Sequence, residues 1–169
     1  MKILATFDGS KFSEAILPQL LLIAALPNAE FTLFGVASEQ GGVLRTHSTK
    51  TGAIGEAFGS VAPVTVKGIE PTWAEDHGQA IQRHEAEFVD YLHSVRAKLP
   101  PDAKVEIEVE TTEHPSDAII AAARTREVDV IVMATHSRGG LISVFFGSTT
   151  EQVVRSGVAP VLVVHPPKS

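Results

Sequence analysis

The sequence predicts an α/β fold, a parallel β-sheet with helices on both faces. Short apolar runs alternate along the chain with amphipathic segments of helical length. Two of the later runs are apolar at every position, which is typical of strands buried on both faces. The resulting order is β-α-β-(loop)-α-β-α-β-α-β, and right-handed crossovers between parallel strands place helices on each face. With 169 residues and no internal repeat, the chain is the size of one domain, 1–169.

The first strand is predicted over Lys2–Phe7, an apolar run that ends in an Asp-Gly-Ser turn signal. A helix follows and runs to about Leu26, with Ser10 or Ser13 as its capping residue. Pro18 lies inside this pattern. Because proline removes a backbone donor and clashes with the preceding turn, it indicates either a kink or a helix that begins later.

Four further strands are predicted, and they differ in how much of each is apolar. They are Phe31–Val36, Val105–Val109, Val130–Met133 and Pro160–Val164. The segment VEIEV alternates strictly, which predicts a half-exposed strand at an edge of the sheet. The last two runs are apolar throughout and are predicted to be buried strands.

Three later helices are predicted from their periodicity and their boundary signals. They are Asp76–Leu99, Pro115–Arg126 and a final helix that contains Glu151–Ser156. The first of these places apolar residues near one face, with charge opposite: Ile81, Phe88, Leu92, Val95 and Leu99. The second begins with proline, which suits the first turn of a helix.

The stretch Ala37–Glu75 lacks clear periodicity and is rich in Gly, Ser and Thr. A loop of this length is uncommon inside a compact domain. Its composition is typical of a disordered insertion. The alternative is a lid over a ligand, because the stretch leaves the carboxyl end of the second strand, where α/β sheets bind ligands.

Composition and charge exclude several classes of function. The formal net charge is −6, the pI about 5.6 and the mean hydropathy +0.13, which argues against a nucleic-acid-binding surface. The chain has no cysteine, so it has no disulfide, zinc-thiolate site or thiol nucleophile. No apolar run reaches the length of a membrane span, and the N-terminus does not resemble a signal peptide. We therefore expect a cytoplasmic protein without a membrane or nucleic-acid partner.

The segment from Val130 to Val164 is the most informative for function. It predicts a buried strand, a polar loop with glycine, a helix and a second buried strand. The first N–H groups of a helix have no intrahelical partner and carry partial positive charge, so the loop that ends in Gly147-Ser148 predicts an anion-binding site. A purely structural alternative exists, because Ser148 and Glu151 have the spacing of a capping box. The two interpretations are compatible.

Taken together, these segments resemble the universal stress protein family. The similarity covers nearly the whole chain: KILATFDGS, FTLFGVAS, VDVIVMATHSRGG, GSTTEQVV and APVLVV. It implies a Rossmann-like five-stranded parallel sheet in the order 3-2-1-4-5 and a homodimer. Many members of the family bind ATP through the motif Gly-x2-Gly-x9-Gly-Ser/Thr, and a second group lacks the motif and does not bind.

This chain matches that ATP motif only in part. The first glycine falls at Ala134 and the second at Ser137, while nine residues then lead to Gly147-Ser148, as the motif requires. A side chain forced into a left-handed backbone conformation costs about 1–2 kcal/mol. However, alanine adds only a methyl group, the serine hydroxyl is itself a donor, and Arg138 adds a cation. We therefore expect a weakened or reshaped site.

The resemblance also implies roles for residues outside the glycines. Asp8 would accept hydrogen bonds from the adenosine, and the backbones of Thr6 and Val36 would line the adenine. Ser148 and Thr149 would lie beside the phosphates. For Asp8 the structural alternative is a turn initiator or helix cap.

The resulting function hypothesis is a stress-response sensor or switch that binds ATP or another adenine nucleotide, with any Mg²⁺ carried by the nucleotide. The alternative is a dimeric interaction protein of the same fold that binds no nucleotide and acts through protein partners. Slow hydrolysis or autophosphorylation at Ser148 or Thr149 ranks last, because the sequence offers no convincing catalytic base; His136 is expected to pack in the loop. The apolar strand Pro160–Val164 is expected to pair with its copy in a homodimer.

Overall fold

A computed structural model describes residues 1–37, 77–135 and 147–166. The strands are β1 (Lys2–Phe7), β2 (Glu30–Ala37), β3 (Lys104–Thr111), β4 (Val130–Ala134) and β5 (Val161–Val164). The helices are α1 (Leu17–Ala24), α2 (His77–Arg96), α3 (Pro115–Arg126) and α4 (Ser148–Ser156), and one 3-10 turn (Ser13–Ile16) precedes α1.

The five strands form one parallel sheet in the order β3-β2-β1-β4-β5. This confirms the predicted fold class and strand order. The chain moves outward from β1 through β2 to β3, and then returns to place β4 on the other side of β1. The order therefore reverses between β1 and β4, and a crevice forms at such a switch point beyond the carboxyl ends of the strands.

The core lies on both faces of this sheet. On one face, α1 and α2 pack against a cluster that includes Ile3, Phe7, Phe31, Leu33 and Val132. On the other face, α3 and α4 pack against a second cluster that includes Leu4, Phe34, Val36, Ile131 and Met133. Because neighbouring residues of a strand point to opposite faces, runs that are apolar at every position fill both clusters.

The first helix begins later in the sequence than the simplest interpretation of its pattern predicts. A 3-10 turn starts at Ser13, whose N–H lies 3.3 Å from Ser10 Oγ, and α1 proper begins only at Leu17. Pro18 therefore lies in the first turn, where its missing N–H would have had no helical partner. Of the two predicted alternatives, the later start is correct.

The bounds around the long insertion differ slightly from the prediction. Ala37 is the last residue of β2 and belongs to the sheet, while the rest of the insertion lies outside the described residues. Helix α2 ends at Arg96, and Leu99 follows it but is still buried. None of the described helices is long and apolar enough to cross a membrane.

The two edges of the sheet have opposite character. The edge strand β3 alternates as predicted and carries charge, and the guanidinium of Arg126 bonds Glu106 and Glu108 at 2.7 and 2.6 Å. The edge strand β5 has only apolar side chains, and Leu162 is 39% exposed. Charged side chains protect an edge against pairing with another chain, whereas β5 lacks that protection.

Candidate functional site

The turn after β1 is built around the carboxylate of Asp8. Its Oδ1 accepts hydrogen bonds from the N–H and the hydroxyl of Ser10, at 2.9 and 2.6 Å. Gly9 between them has φ +77°, a conformation that glycine adopts without strain. Asp8 therefore initiates a turn, as the structural alternative predicted. Its carboxylate is exposed at the carboxyl edge of the sheet, so the turn role leaves room for a ligand contact.

Thr6 and Val36 lie at the ends of β1 and β2, and their side chains are buried at 7% and 8% exposure. The Val36 side chain belongs to the cluster that packs against α3 and α4. The side chains are therefore used for packing. A ligand at this edge would meet the backbone at these positions, which is the kind of contact that the resemblance implies.

The end of β4 is joined to the start of α4 by Thr135. Its side chain is 1% exposed, and its Oγ1 accepts a hydrogen bond from the N–H of Gly147 at 3.2 Å. Its own N–H donates to the carbonyl of Val164 in β5 at 3.0 Å. Sequence reasoning missed this residue. The available signal was a hydroxyl residue directly after a buried apolar run, at the edge where the loop begins.

The start of α4 contradicts the predicted capping box. Gly147 is the N-cap residue, Ser148 is the first residue of the helix, and no side-chain hydrogen bond caps it. Glu151 donates its N–H to the carbonyl of Gly147 at 2.9 Å, while its carboxylate pairs with Arg155 at 2.8 Å. The helix thus begins one residue too early for the Ser148 hydroxyl to cap it.

The N-terminus of α4 fits an anion. The N–H groups of the first helical residues, Ser148, Thr149 and Thr150, have no acceptor within the helix. An ideal Cβ placed on Gly147 would meet nothing within 4 Å, and its φ of −58° is open to any residue. Glycine is an accepted N-cap residue, but neither the backbone conformation nor packing among the described residues requires it here. Space beside unpaired donors at the positive end of a helix dipole is where a phosphate binds.

Topology brings the Asp8 turn and the start of α4 to the same edge. β1 and β4 are parallel neighbours, with Ala5 paired to Val132, and Asp8 and Thr135 each follow three residues later. Ala134, at the first position of the ATP motif, is half-buried at the end of β4. The other two predicted site residues, Ser137 and Arg138, lie outside the described residues, as does His136.

No group of three or more His, Asp or Glu side chains with the geometry of a metal site occurs in the part of the chain that the structure describes. The described site offers hydrogen-bond donors at a helix end and a carboxylate at the same edge of the sheet.

We expect Thr135→Val to weaken the joint between β4 and α4. Valine keeps the shape of threonine but removes the acceptor for the Gly147 N–H, which should cost about 1–2 kcal/mol of unfolding free energy. The measurement is urea denaturation, with Thr135→Ser as the control because serine keeps the hydroxyl. An equal loss in both variants would show that the hydrogen bond contributes nothing.

The fold and the site together define a parallel α/β protein with the start of a helix and a carboxylate-bearing turn at its switch point. The chain matches the family model described as "Universal stress protein family" over residues 1–165. It belongs to this family, which confirms the predicted resemblance.

Curated relatives match shorter segments. Universal stress protein MJ0531 of Methanocaldococcus jannaschii is 36% identical over 72 residues, which is 42% of this chain and 42% of that protein. A universal stress protein of Mycolicibacterium smegmatis is 30% identical over 98 residues, 58% of this chain and 31% of that protein. The matches thus span less than half the length of either relative.

Solved structures match nearly the whole chain at low identity. Protein MJ0577 of M. jannaschii is similar with a TM-score of 0.60 and 21% identity, over 99% of this chain and 97% of that one. A universal stress protein crystallised in complex with cAMP is similar with a TM-score of 0.55 and 18% identity, over 98% and 96%. At these identities the similarity demonstrates the shared fold.

Proposed function

We propose that this protein binds ATP or a related adenine nucleotide and acts in the cytoplasm as a stress-response sensor or switch. The observation that carries the proposal is Gly147, a glycine that neither its backbone angles nor its described neighbours require, beside N–H groups that have no acceptor within the helix. Space for a phosphate explains the glycine. The cAMP complex of a structural relative is consistent with a nucleotide ligand.

The described residues would contact different parts of the nucleotide. The N–H groups of Ser148 and Thr149 would hold the phosphates, and the Asp8 carboxylate would accept from the ribose hydroxyls or the adenine amine. The backbones of Thr6 and Val36 would border the base. Mg²⁺ bound to the nucleotide would offset the charge that the phosphates bring to a protein of net charge −6.

Isothermal titration calorimetry with ATP and Mg²⁺, and in parallel with AMP and cyclic AMP, tests the proposal. We expect micromolar binding of at least one ligand. Folded protein that gives no heat at millimolar ligand would overturn the proposal. It would favour the second hypothesis, a dimeric interaction protein, for which Ala134 and Ser137 in place of glycine are the supporting observation.

We also propose that the protein is a homodimer in which β5 pairs antiparallel with its copy. Ile131 and Thr135 of β4 donate to the carbonyls of Pro160 and Val164. Because backbone groups alternate in direction along a strand, those of Val161 and Val163 face the outer edge, beyond which no described strand lies.

We expect Val163→Pro to convert the dimer into a monomer. Proline removes a donor that faces outward and leaves the bonds to β4 in place, and prolines are tolerated on edge strands. Light scattering measures the mass, and circular dichroism checks that the variant is folded. Val154→Ala, which removes an exposed side chain of α4 without altering β5, is the control. A wild-type protein that is monomeric at high concentration would contradict the proposal.

A further inference from the structure

Three aromatic rings lie under the turn that holds Asp8. Tyr91 of α2 contacts Phe7 of β1 edge-on, with ring centres 6.3 Å apart and an interplanar angle of 73°. It contacts Phe88, one turn earlier in α2, in the same way at 5.7 Å and 82°. Such edge-to-face pairs are favourable beyond their burial, so the rings form a fixed platform between α2 and the end of β1.

The ring of Phe88 also lies against the turn that follows β1. Its Cε2 lies 3.2 Å from the position that a Cβ on Gly9 would occupy, and the opposite edge of the ring packs on Gly35 of β2. Gly9 therefore has two reasons to be glycine, its positive φ and the ring beside it. Since Gly9 separates Asp8 from Ser10, the ring packs directly on the backbone of the turn.

A chain of hydrogen bonds makes a second connection from α2 to Asp8. The hydroxyls of Tyr91 and Ser13 lie 3.4 Å apart, and the Ser13 hydroxyl donates to the carbonyl of Ser10 at 2.7 Å. Ser10 in turn donates both its N–H and its hydroxyl to Asp8 Oδ1. The first link is long and therefore weak, while the later links have ordinary lengths.

We propose that Phe88 and Tyr91 are positioning residues of the nucleotide site, through which α2 holds the Asp8 turn in the shape that a ligand requires. The role as a ligand-site residue rests on the proposed function. The statement that α2 holds the turn in a fixed shape rests only on the contacts of Phe88 and Tyr91 described above. Neither side chain needs to touch the ligand, because both act through Gly9, Ser13 and Ser10.

The chain contains one tyrosine, so the phenol of Tyr91 is a direct reporter of this arrangement. Burial raises the pKa of Tyr91 from near 10 to about 12, the negative charges of Glu14 and Asp8 add to the increase, and the Ser13 hydroxyl opposes it. Since the folded pKa exceeds the unfolded one, this group's contribution to stability is complete below about pH 10 and is lost as the pH rises through 12.

The test compares Phe88→Leu with Val95→Ala in the ligand-free protein. Val95 is a fully buried residue one turn beyond Tyr91, so its truncation also weakens the core on α2 without touching Gly9. Amide hydrogen exchange by NMR measures the Ser10 N–H, and Asp8→Ala, which removes its acceptor, defines the fully released rate. We expect exchange about tenfold faster in Phe88→Leu, equivalent to about 1.4 kcal/mol of local opening, and unchanged in Val95→Ala.

Tyr91→Phe separates the hydrogen-bonded connection from the packing. It keeps the ring and removes the hydroxyl, so Ser10 exchange should rise less than in Phe88→Leu. Spectrophotometric titration of Tyr91 in Phe88→Leu should show a midpoint displaced from about 12 toward 10, because the loss of the ring admits water. Wild-type Ser10 exchange and an unchanged tyrosine titration in Phe88→Leu would overturn the proposal.

Affinity for ATP and Mg²⁺ supplies the ligand readout. We expect Phe88→Leu to bind about tenfold more weakly than Val95→Ala at matched unfolding free energy, since a loosened turn must be ordered again on binding. Equal affinities would overturn the role of Phe88 in binding. A wild-type protein with no affinity for ATP would contradict the proposed function instead, and the Ser10 exchange would still decide whether α2 holds the turn.

Discussion

Gly147→Val is expected to abolish most of the nucleotide affinity with only a small loss of stability. The backbone of Gly147 has φ −58° and ψ 157°, which valine adopts readily, and no described atom obstructs a Cβ. In the nucleotide complex, however, the new side chain would occupy the space beside the first N–H groups of α4, which have no acceptor within the helix. We expect at least about a tenfold loss of ATP affinity, equivalent to 1.4 kcal/mol or more. The unfolding free energy should fall by less than about 1 kcal/mol, because valine is a poorer N-cap residue than glycine.

The opposite end of the same helix provides a matched control. Gly157 ends α4 with φ +63°, and its Cβ would also meet nothing within 4 Å. Valine is therefore sterically admissible at both glycines but conformationally unfavourable only at the second. Gly157→Val should cost about 1–2 kcal/mol of stability. Its ATP affinity should be unchanged, because Gly157 lies at the end of α4 away from the site.

We therefore expect calorimetry to show a loss of ATP affinity mainly in Gly147→Val, and urea denaturation to show a loss of stability mainly in Gly157→Val. If Gly147→Val bound ATP as tightly as the wild type, the start of α4 would not be the phosphate site. If it lost stability as Gly157→Val does, an unrecognised structural role would account for the glycine.

Most of the fold was predictable because the burial of a strand determines its pattern of apolar residues. A strand buried on both faces is apolar at every position, and a half-exposed strand alternates. The run Val130–Met133 is apolar at every position and proved to be a central strand, with clusters on both sides. The segment Val105–Val109 alternates and proved to be an edge. Helix α3 has the predicted bounds, because Pro115 fits only a first turn and Glu127 ends the helix in a left-handed conformation.

Sequence reasoning misjudged the start of α4 because a local capping signal competes there with a contact between residues distant in sequence. Ser148 and Glu151 have the spacing of a capping box, yet the N-cap is Gly147, because Thr135 accepts its N–H and places the helix start one residue earlier. That hydrogen bond joins residues 12 positions apart. A helix-capping rule considers only neighbours in sequence, so this competitor was invisible to it.

The positions of the candidate-site residues in the fold could be predicted in outline, while their role in binding stays a prediction. Asp8 and Gly147 could be assigned from the turn and the glycine, and the parallel order of β1 and β4 places them at one edge. The residues that hold the site in place could not be predicted, because their role depends on tertiary contacts. The periodicity of α2 predicted that Phe88 faces the core. It contained no information that the ring packs on glycines of two different strands.

Gly35 shows how strongly those tertiary contacts override local preference. It is a strand-interior glycine without a positive φ, and valine is favoured over glycine in strands by about 1 kcal/mol. By propensity alone, Gly35→Val should stabilise the protein. Yet a Cβ at Gly35 would lie 2.6 Å from Cδ1 of Phe88 and 3.1 Å from Cδ1 of Leu92, closer than side chains pack. We expect a net loss of about 3 kcal/mol in the unfolding free energy, because overpacking outweighs propensity.

Phe88→Ala tests whether the ring of Phe88 is what excludes a side chain at Gly35. On its own this substitution should destabilise the protein, since the ring packs against β1 and β2. In combination with Gly35→Val, however, the removed ring leaves room for the valine, and the double variant should be at least as stable as Phe88→Ala alone. A double-mutant cycle by urea denaturation gives the coupling energy, expected to be at least about 3 kcal/mol in favour of the pair. Additive losses would mean that Leu92 or the backbone at Gly35, and not the ring of Phe88, excludes a side chain from this position.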